Sequence, residues 1–130
     1  MNTAYAPGHF QKWNQPSVRE SKEAKRIRAE AAYRAACHLV NSRDGYRCRV
    51  CNCSGVMHHH HIVYRSRGGR DTVDNLCLLC ASCHDEEHVK RTLAIEGNAE
   101  TGISIWRRSE AQTWFLWRQE TAVRVYVGEL

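Results

Sequence analysis

The chain has 130 residues, a net charge of +5 and seven cysteines. This length favours a single domain with a modest buried core, to which a structural metal ion would add stability. No apolar run approaches the roughly 20 residues that a membrane span requires, and residues 1–10 lack the apolar stretch of a signal peptide. We therefore expect a cytoplasmic, reducing setting, in which paired cysteines indicate metal ligands rather than disulfides.

The positive charge is concentrated in the first part of the chain. Lys and Arg outnumber Asp and Glu by 7 to 3 in residues 1–41 and by 8 to 6 in residues 42–92, whereas residues 93–130 carry 4 against 5. Nucleic acid is the natural partner of such a charge, because neutralised phosphates release counterions. An ordinary solvated basic protein accounts for the charge equally well.

A loose arm is expected over residues 1–16, and a long helix over residues 17–41. Ser17 followed by Glu20 makes a capping box, and no Gly or Pro interrupts the run that follows. Basic residues crowd into its first half, where they form either a DNA contact or a solvated face. The apolar positions recur at intervals of three and four residues, at Ala24, Ile27, Ala31 and Ala35.

Four of the cysteines form two Cys-x2-Cys turns. Cys48 and Cys51 make the first turn and Cys80 and Cys83 the second, with 28 residues between them. Two such pairs can close a tetrahedral zinc site with Zn–S distances of about 2.3 Å and no open position. We therefore predict one structural Zn²⁺ on these four thiolates. The other three cysteines are expected to be small buried residues, although one is near enough to Cys51 to compete as a ligand: Cys37, Cys77 and, as the competitor, Cys53.

Six of the eight histidines lie between residues 58 and 88. Residues 58–61 are consecutive histidines, and the chain is β-prone toward the end of this segment, at residues 62–64. In an extended strand His59 and His61 face one way and His58 and His60 the other. One histidine can therefore bind a metal ion while its neighbour points at a substrate.

A second strand is predicted at residues 76–79, followed by a helix at residues 82–90. His84 and His88 are four residues apart and share one face of that helix. Its first turns carry three acidic residues, which suit the positive end of the helix dipole: Asp85, Glu86 and Glu87.

The last third of the chain predicts a hairpin and further short elements. Residues 92–96 and 103–106 alternate in polarity around a glycine-bounded turn, which indicates a β-hairpin. Ser109 with Gln112 predicts the start of a short helix, and residues 121–127 predict a strand. The helix would carry three aromatic residues, which favour a core or a partner surface over a platform for stacking bases: Trp114, Phe115 and Trp117.

Taken together, residues 43–92 resemble the HNH endonucleases of the ββα-metal nuclease superfamily. The resemblance rests on these segments, in chain order: Arg43-Asp44, Cys48-x2-Cys51, His60-His61-Ile62, Ser66 with Gly68-Gly69, Asn75-Leu76, Leu79-Cys80-x2-Cys83-His84, and His88. It implies an α+β fold with a small zinc-stabilised ββα finger at residues 42–92. Residues 1–41 would supply the arm and the basic helix, and residues 93–130 an extension that packs on the finger within one domain.

The resemblance also implies roles for the site residues. His61 would be the general base that activates water, and His60 and His84 would hold one catalytic divalent ion, Mg²⁺, Mn²⁺, Ni²⁺ or Zn²⁺. His88 corresponds to a further histidine ligand in colicin-type DNases. Asn75 would either orient the loop that carries the base or join the metal ion.

The reaction that the resemblance implies is hydrolysis of DNA, most naturally double-stranded, which leaves 5′-phosphate and 3′-hydroxyl ends. Three arginines beside the histidines are candidates for clamping flanking phosphates, or else belong to a solvated loop: Arg65, Arg67 and Arg70. The alternative function is a zinc finger that binds nucleic acid or protein without cutting. RNA or modified DNA as substrate, the biological pathway, and a homodimer or a larger phage or restriction assembly remain open.

Overall fold

The computed structural model describes residues 19–120, which form an α+β fold, as predicted. The elements are helix α1 (Lys22–Arg43), strands β1 (Met57–His61) and β2 (Leu76–Cys80), a short helix α2 (Ala81–Asp85) that continues as a π-helical turn (Glu86–Lys90), and strands β3 (Leu93–Asn98), β4 (Gly102–Arg108) and β5 (Trp114–Glu120). The predicted arm, the Ser17 cap and the strand at residues 121–127 lie outside the described residues.

Helix α1 begins with a cap at Ser21, whose side chain accepts a hydrogen bond from the backbone N–H of Ala24 at 3.1 Å. Every residue from 21 to 32 is exposed, so the first half of the helix extends into solvent. Among the described helices, none combines the length and the apolar character that crossing a membrane would require.

The face on which α1 packs differs from the one that the sequence predicted. The four predicted positions, Ala24, Ile27, Ala31 and Ala35, are exposed. Ala36 and Val40 are buried instead, with Tyr33 packed beside them. The repeating alanines carry little apolar area to bury, so contact with β2 through the last turns of the helix decides which face is covered.

Strands β1 and β2 form an antiparallel pair in which His60 lies opposite Cys77 and His61 opposite Leu76. The strand occupies the histidines themselves rather than residues 62–64, where the sequence placed its β-propensity. Asn75 explains the early end: its backbone carbonyl accepts from Ile62 N at 2.8 Å, and its side-chain oxygen accepts from Val63 N at 2.8 Å.

Strand β2 is buried along its whole length. Cys77 and Leu79 pack in the larger core with residues of β3 and β4, such as Ile95 and Ile105. Leu76 and Leu78 point the other way and pack against α1. Strand β2 therefore lies in the middle of the molecule, between the helix and the second sheet.

The second sheet has the order β3-β4-β5 and contains the predicted hairpin. The predicted short helix after Ser109 is wrong, because residues 109–113 form a turn and Trp114–Glu120 is an edge strand. In that turn Ser109 N donates to Thr113 O at 2.8 Å and Gln112 has a positive φ of 65°. Aromatic residues fit a strand well. Trp114, Phe115 and Trp117 are 41–46% exposed and so do not enter the core of the described residues.

A buried carboxylate joins the end of α1 to the rest of the fold. Asp44 accepts from Arg43 Nε at 2.8 Å, from Arg49 Nη1 at 2.9 Å and from the backbone N–H of Leu78 at 3.0 Å. Asp44 and Arg49 are 1% and 2% exposed. Their contacts hold the helix end, the first cysteine turn and β2 in one arrangement.

We expect Asp44→Ala to lower the free energy of unfolding by about 3–5 kcal/mol, since it leaves the buried Arg49 charge without this partner. Urea denaturation of the metal-loaded protein measures the change. Asp74→Ala, at an exposed aspartate in the loop before β2, is the matched control and should stay within about 0.5 kcal/mol of the parent. Equal stability of the two variants would contradict the structural role of Asp44.

Candidate active site

The two cysteine turns meet in one cluster. The sulfur atoms of Cys48, Cys51, Cys80 and Cys83 all lie within 4.8 Å of one another, and the Cys51 and Cys80 sulfurs are 3.6 Å apart. Tetrahedral zinc with bonds of about 2.3 Å would place its sulfur ligands about 3.8 Å apart. The cluster therefore has the dimensions of a four-thiolate zinc site.

The two turns have matching local geometry. Cys51 N donates to the sulfur of Cys48 at 3.5 Å, and Cys83 N donates to the sulfur of Cys80 at 3.4 Å. Burial, together with the neighbouring Cys48, raises the pKa of the Cys83 thiol. Four thiolates at this spacing would repel each other, so a bound cation is what allows them to be deprotonated together. The four-cysteine site can thus bind zinc.

The three remaining cysteines occupy different environments. Cys77 is fully buried, as predicted, and burial raises the pKa of its thiol to about 12. Cys37 is half-buried on α1. The prediction is wrong for Cys53, which is exposed. A hydrogen bond to Cys51 contributes most to raising the pKa of the Cys53 thiol to about 12.

We expect Cys83→Ser to release the metal ion and lose most of the cooperative unfolding transition, because metal binding and folding are linked in such sites. Metal analysis of the purified protein should find one zinc per chain in the parent and less than half in the variant. Cys37→Ser, which changes a thiol outside the cluster, should keep the zinc. Full zinc content in Cys83→Ser would remove Cys83 from the ligand set.

Strand β1 divides its histidines between two faces, as expected for extended backbone. On one face, the His58 ring lies 4.8 Å from the His84 ring, and the His60 ring lies 5.2 Å from the His88 ring. On the other face, His59 Nε2 is 2.7 Å from Asn41 Oδ1 of α1. The short helix and the π-helical turn bring His84 and His88 to the first face because their helix starts at the end of β2.

His60, His84 and His88 form a second cluster, in which one ligand atom from each lies within 4.8 Å of the others. His60 is 1% exposed, and both of its ring nitrogens lack a hydrogen-bond partner within residues 19–120. Burial and the neighbouring His88 and His84 lower the pKa of His60 to about 3. A buried, neutral imidazole without a hydrogen bond is costly, and a metal ion would satisfy it. These three side chains therefore fit a divalent cation.

His61 lies on the opposite face of β1 and pairs with an acid. His61 Nε2 is 2.7 Å from Asp71 Oδ1, and Arg65 Nε donates to the same oxygen at 2.9 Å. Burial opposes ionisation of Asp71, but the hydrogen bonds from His61 and Arg65 outweigh it and lower its pKa. The Tyr33 ring stacks on His61 with ring centres 6.1 Å apart. Asp71 is therefore an anion that fixes the orientation of the His61 ring.

Both sets of histidines border one groove of about 430 Å³. Its walls are made by His59, His60, His61, Tyr64, Arg65, Ser66, His84, His88 and Arg91. Among the three predicted phosphate-binding arginines, Arg65 lines this groove and Arg67 lines a neighbouring cavity. Arg70 is exposed and lines neither of the two.

Asn75 lies behind the groove and closes the loop between the strands. Its side-chain N–H groups donate to the carbonyls of Val63 and Arg70, each at 3.0 Å, and its side-chain oxygen accepts from Val63 N. Gly69 packs so tightly on this loop that an added Cβ would lie 1.7 Å from the carbonyl oxygen of Val63. The loop that carries Arg65 and Asp71 is thus held at both ends.

The sequence did not identify Asp71, Glu87 or Tyr64 as site residues. Glu87 was assigned to the helix dipole, but it is 7% exposed; its Oε1 accepts from the Tyr64 hydroxyl and its Oε2 lies 3.8 Å from His60 Nδ1. Burial and this hydrogen bond raise the pKa of Tyr64 to about 12. The sequence feature that could have identified Glu87 as a site residue is its position three residues after His84, on the same helix face. No sequence feature identified Asp71, since only the folded loop brings it to His61.

We expect the imidazole of His60 to remain neutral from pH 8 down to pH 5 in protein whose histidine cluster is metal-free, because its pKa is about 3. Nuclear magnetic resonance of the histidine ring protons checks this, with His60→Gln used to assign the resonance. The signal should not move over that range. A titration step near the ordinary pKa of about 6.5 would contradict the buried, neutral state.

The segment of the chain that contains this site is similar to known proteins. The sequence model of the family described as HNH endonuclease matches residues 48–90. Anaredoxin from Nostoc sp. is 33% identical over 57 residues, which cover 43% of this chain and 75% of that protein. No solved structure matches the chain significantly. Residues 48–90 contain both cysteine turns and every histidine of the groove.

Proposed function

We propose that this chain, whose residues 48–90 belong to the HNH endonuclease family, is a metal-dependent endonuclease that hydrolyses phosphodiester bonds in DNA. The observation that carries the proposal is that the His60–His84–His88 cluster borders the same groove as His61, the histidine that pairs with Asp71. A site for hydrolysis needs a cation-binding group and a base that reach one phosphate. A module that only binds needs neither.

His60, His84 and His88 would hold the catalytic divalent ion. When bound, such an ion polarises a phosphate and stabilises the departing oxygen. Imidazole donors suit Zn²⁺ and Ni²⁺ better than Mg²⁺, which prefers oxygen ligands, so the donor set favours the transition ions among Mg²⁺, Mn²⁺, Ni²⁺ and Zn²⁺. Glu87, whose Oε2 is 3.4 Å from His88 Nε2, adds a negative charge that supports cation binding.

His61 would act as the general base that takes a proton from the attacking water. Asp71 accepts from His61 Nε2, which holds the ring proton there and leaves Nδ1 to receive the proton from water. The carboxylate then stabilises the imidazolium that forms, as acidic partners of catalytic histidines do. The expected products carry 5′-phosphate and 3′-hydroxyl ends.

Asn75 would position this base rather than bind the ion. Its three side-chain hydrogen bonds go to the backbone of the loop that carries Asp71. Arg65 lies in the same loop at the edge of the groove, beside Asp71 and 4.8 Å from the centre of the Tyr33 ring. From there its guanidinium can contact a phosphate next to the one that is cut.

A zinc-stabilised module that binds nucleic acid or protein without cutting is the second candidate. It is supported by the four-cysteine cluster and by the exposed, basic first half of α1, where Lys22 and Lys25 face solvent. Such a module would bind DNA with an affinity that falls steeply with salt. It would leave the DNA intact with every divalent ion.

We expect His61→Ala to keep its fold and its tightly held zinc but to nick supercoiled plasmid DNA at least about 100-fold more slowly, since the general base is lost. Gel assays with Mg²⁺, Mn²⁺, Ni²⁺ and Zn²⁺ measure the rate, alongside circular dichroism and zinc content. His38→Ala, at an exposed histidine of α1, is the control and should cut like the parent.

The outcomes separate the two functions. Full activity in His61→Ala would remove His61 from the mechanism. Absence of cutting by the parent with all four ions, on plasmid, single-stranded DNA and RNA alike, together with salt-dependent DNA binding, would favour the binding module.

A further inference from the structure

A second cavity, of about 300 Å³, opens beside the groove, and we name it the side cavity. Its walls include Tyr64, Arg67, Glu87, Arg91, Glu96 and Trp114. Tyr64 and Arg91 belong to the walls of both the groove and the side cavity. The groove and the side cavity are therefore adjacent, and these two side chains border both of them.

We propose that the side cavity receives the base of an unpaired nucleotide in the strand that is cut, which makes strands with extruded or single-stranded nucleotides the preferred substrate. This inference rests on the proposed nuclease function. It adds a second contact to the substrate, next to the groove where the scissile phosphate would lie.

Aromatic side chains supply the surface that a base requires. The Tyr64 ring borders the side cavity, but it already stacks on His88 with ring centres 5.1 Å apart, so Trp114 supplies the main stacking surface. Trp114 lies in the cavity wall and is 44% exposed, so part of its side chain is accessible to a ligand. Every base presents a flat π-face, so stacking on such rings binds nucleotides without dependence on sequence.

The positive charges of Arg67 and Arg91 at the side cavity favour a nucleotide over an apolar ligand. Neither Arg67 nor Arg91 forms an ion pair with another residue in the described part of the chain, whereas Arg65 is paired with Asp71. Arg67 lies 5.8 Å from the centre of the Tyr64 ring. Glu87 is buried and accepts a hydrogen bond from the Tyr64 hydroxyl. Two unpaired guanidinium groups beside the aromatic rings can bind the phosphates on either side of the base.

The shape of the side cavity explains why the base must be unpaired. The cavity is bordered by residues 62–64 on one side and by strand β3 on the other. A base that enters such a space has to leave its partner and its stack, as in enzymes that extrude a nucleotide. Since Tyr64 and Arg91 border both spaces, the base and the phosphate can belong to adjacent positions of one strand.

Three duplexes of about 20 base pairs test the inference: one fully paired, one with a single unpaired nucleotide, and one with an abasic residue at the unpaired position. Cleavage rates are measured with the parent, and binding is measured in the His61→Ala background, in which cutting is expected to be slow. We expect the unpaired nucleotide to improve binding roughly tenfold over the paired duplex, and the abasic residue to remove that gain.

Trp114→Ala should abolish the preference for the unpaired nucleotide, and Trp117→Ala should retain it. Trp117 lies on the same strand with 41% exposure but does not border the side cavity. Trp114→Leu keeps apolar bulk without a stacking ring, so it serves if the alanine variant unfolds.

Equal binding of the three duplexes in the His61→Ala background would overturn the inference, as would an unchanged preference in both Trp114 variants. In either case, cleavage of the paired duplex by the parent would leave the nuclease function standing. No cleavage of any DNA by the parent would remove the nuclease function and this inference together.

Discussion

The convergence of two Cys-x2-Cys turns on one point is the constraint on which the rest of the structure depends. Cys80 is the last residue of β2, and Cys83 lies in the helix that follows directly. His84 is the next residue after Cys83, so an ion held by the four thiols fixes the start of the helix that carries His84, Glu87 and His88. In a chain of this size, a metal cross-link also adds stability that a small core supplies poorly.

Because β1 is pleated, adjacent histidines have different neighbours. Neighbouring side chains of a strand point to opposite faces, so His60 turns toward the helix and His61 toward Asp71 and α1. Side chains of both faces nevertheless border the groove, since its walls include His59 and His61 as well as His60. The proposed cation-binding group and the proposed base are thereby placed close together without competing for the same ligand.

Burial sets the protonation of this site more strongly than any single charge. His60 is held neutral, with its pKa near 3, because its ring is buried beside two other imidazoles. Partial burial and the hydrogen bond to Glu87 raise the pKa of the Tyr64 phenol further above neutrality, to about 12. The Asp71 carboxyl is instead held as an anion by hydrogen bonds from His61 and Arg65. The proposed cation-binding histidine and the proposed base are therefore supported by different neighbours, one on each side of β1.

The sequence alone established the local features of the protein. The spacing of Cys48, Cys51, Cys80 and Cys83 predicted their cluster, since tetrahedral thiolate sites impose that pattern. Alternation around the glycine-bounded turn predicted the β3–β4 hairpin, and the resemblance to HNH endonucleases agreed with the family match. Each of these depends on residues close together in the chain or on a short, specific motif.

Only the tertiary structure decided the features that depend on distant contacts. The packed face of α1 depends on where Val40 meets β2, and the strand at Trp114–Glu120 depends on pairing with β4. The Asp71–His61 pair and the burial of Glu87 depend on the loop after β1, which brings Asp71 to His61 and the Tyr64 hydroxyl to Glu87. Secondary-structure propensity and hydrophobic periodicity do not determine which surfaces meet. Those contacts depend on how the elements of the whole chain bury their apolar surfaces together.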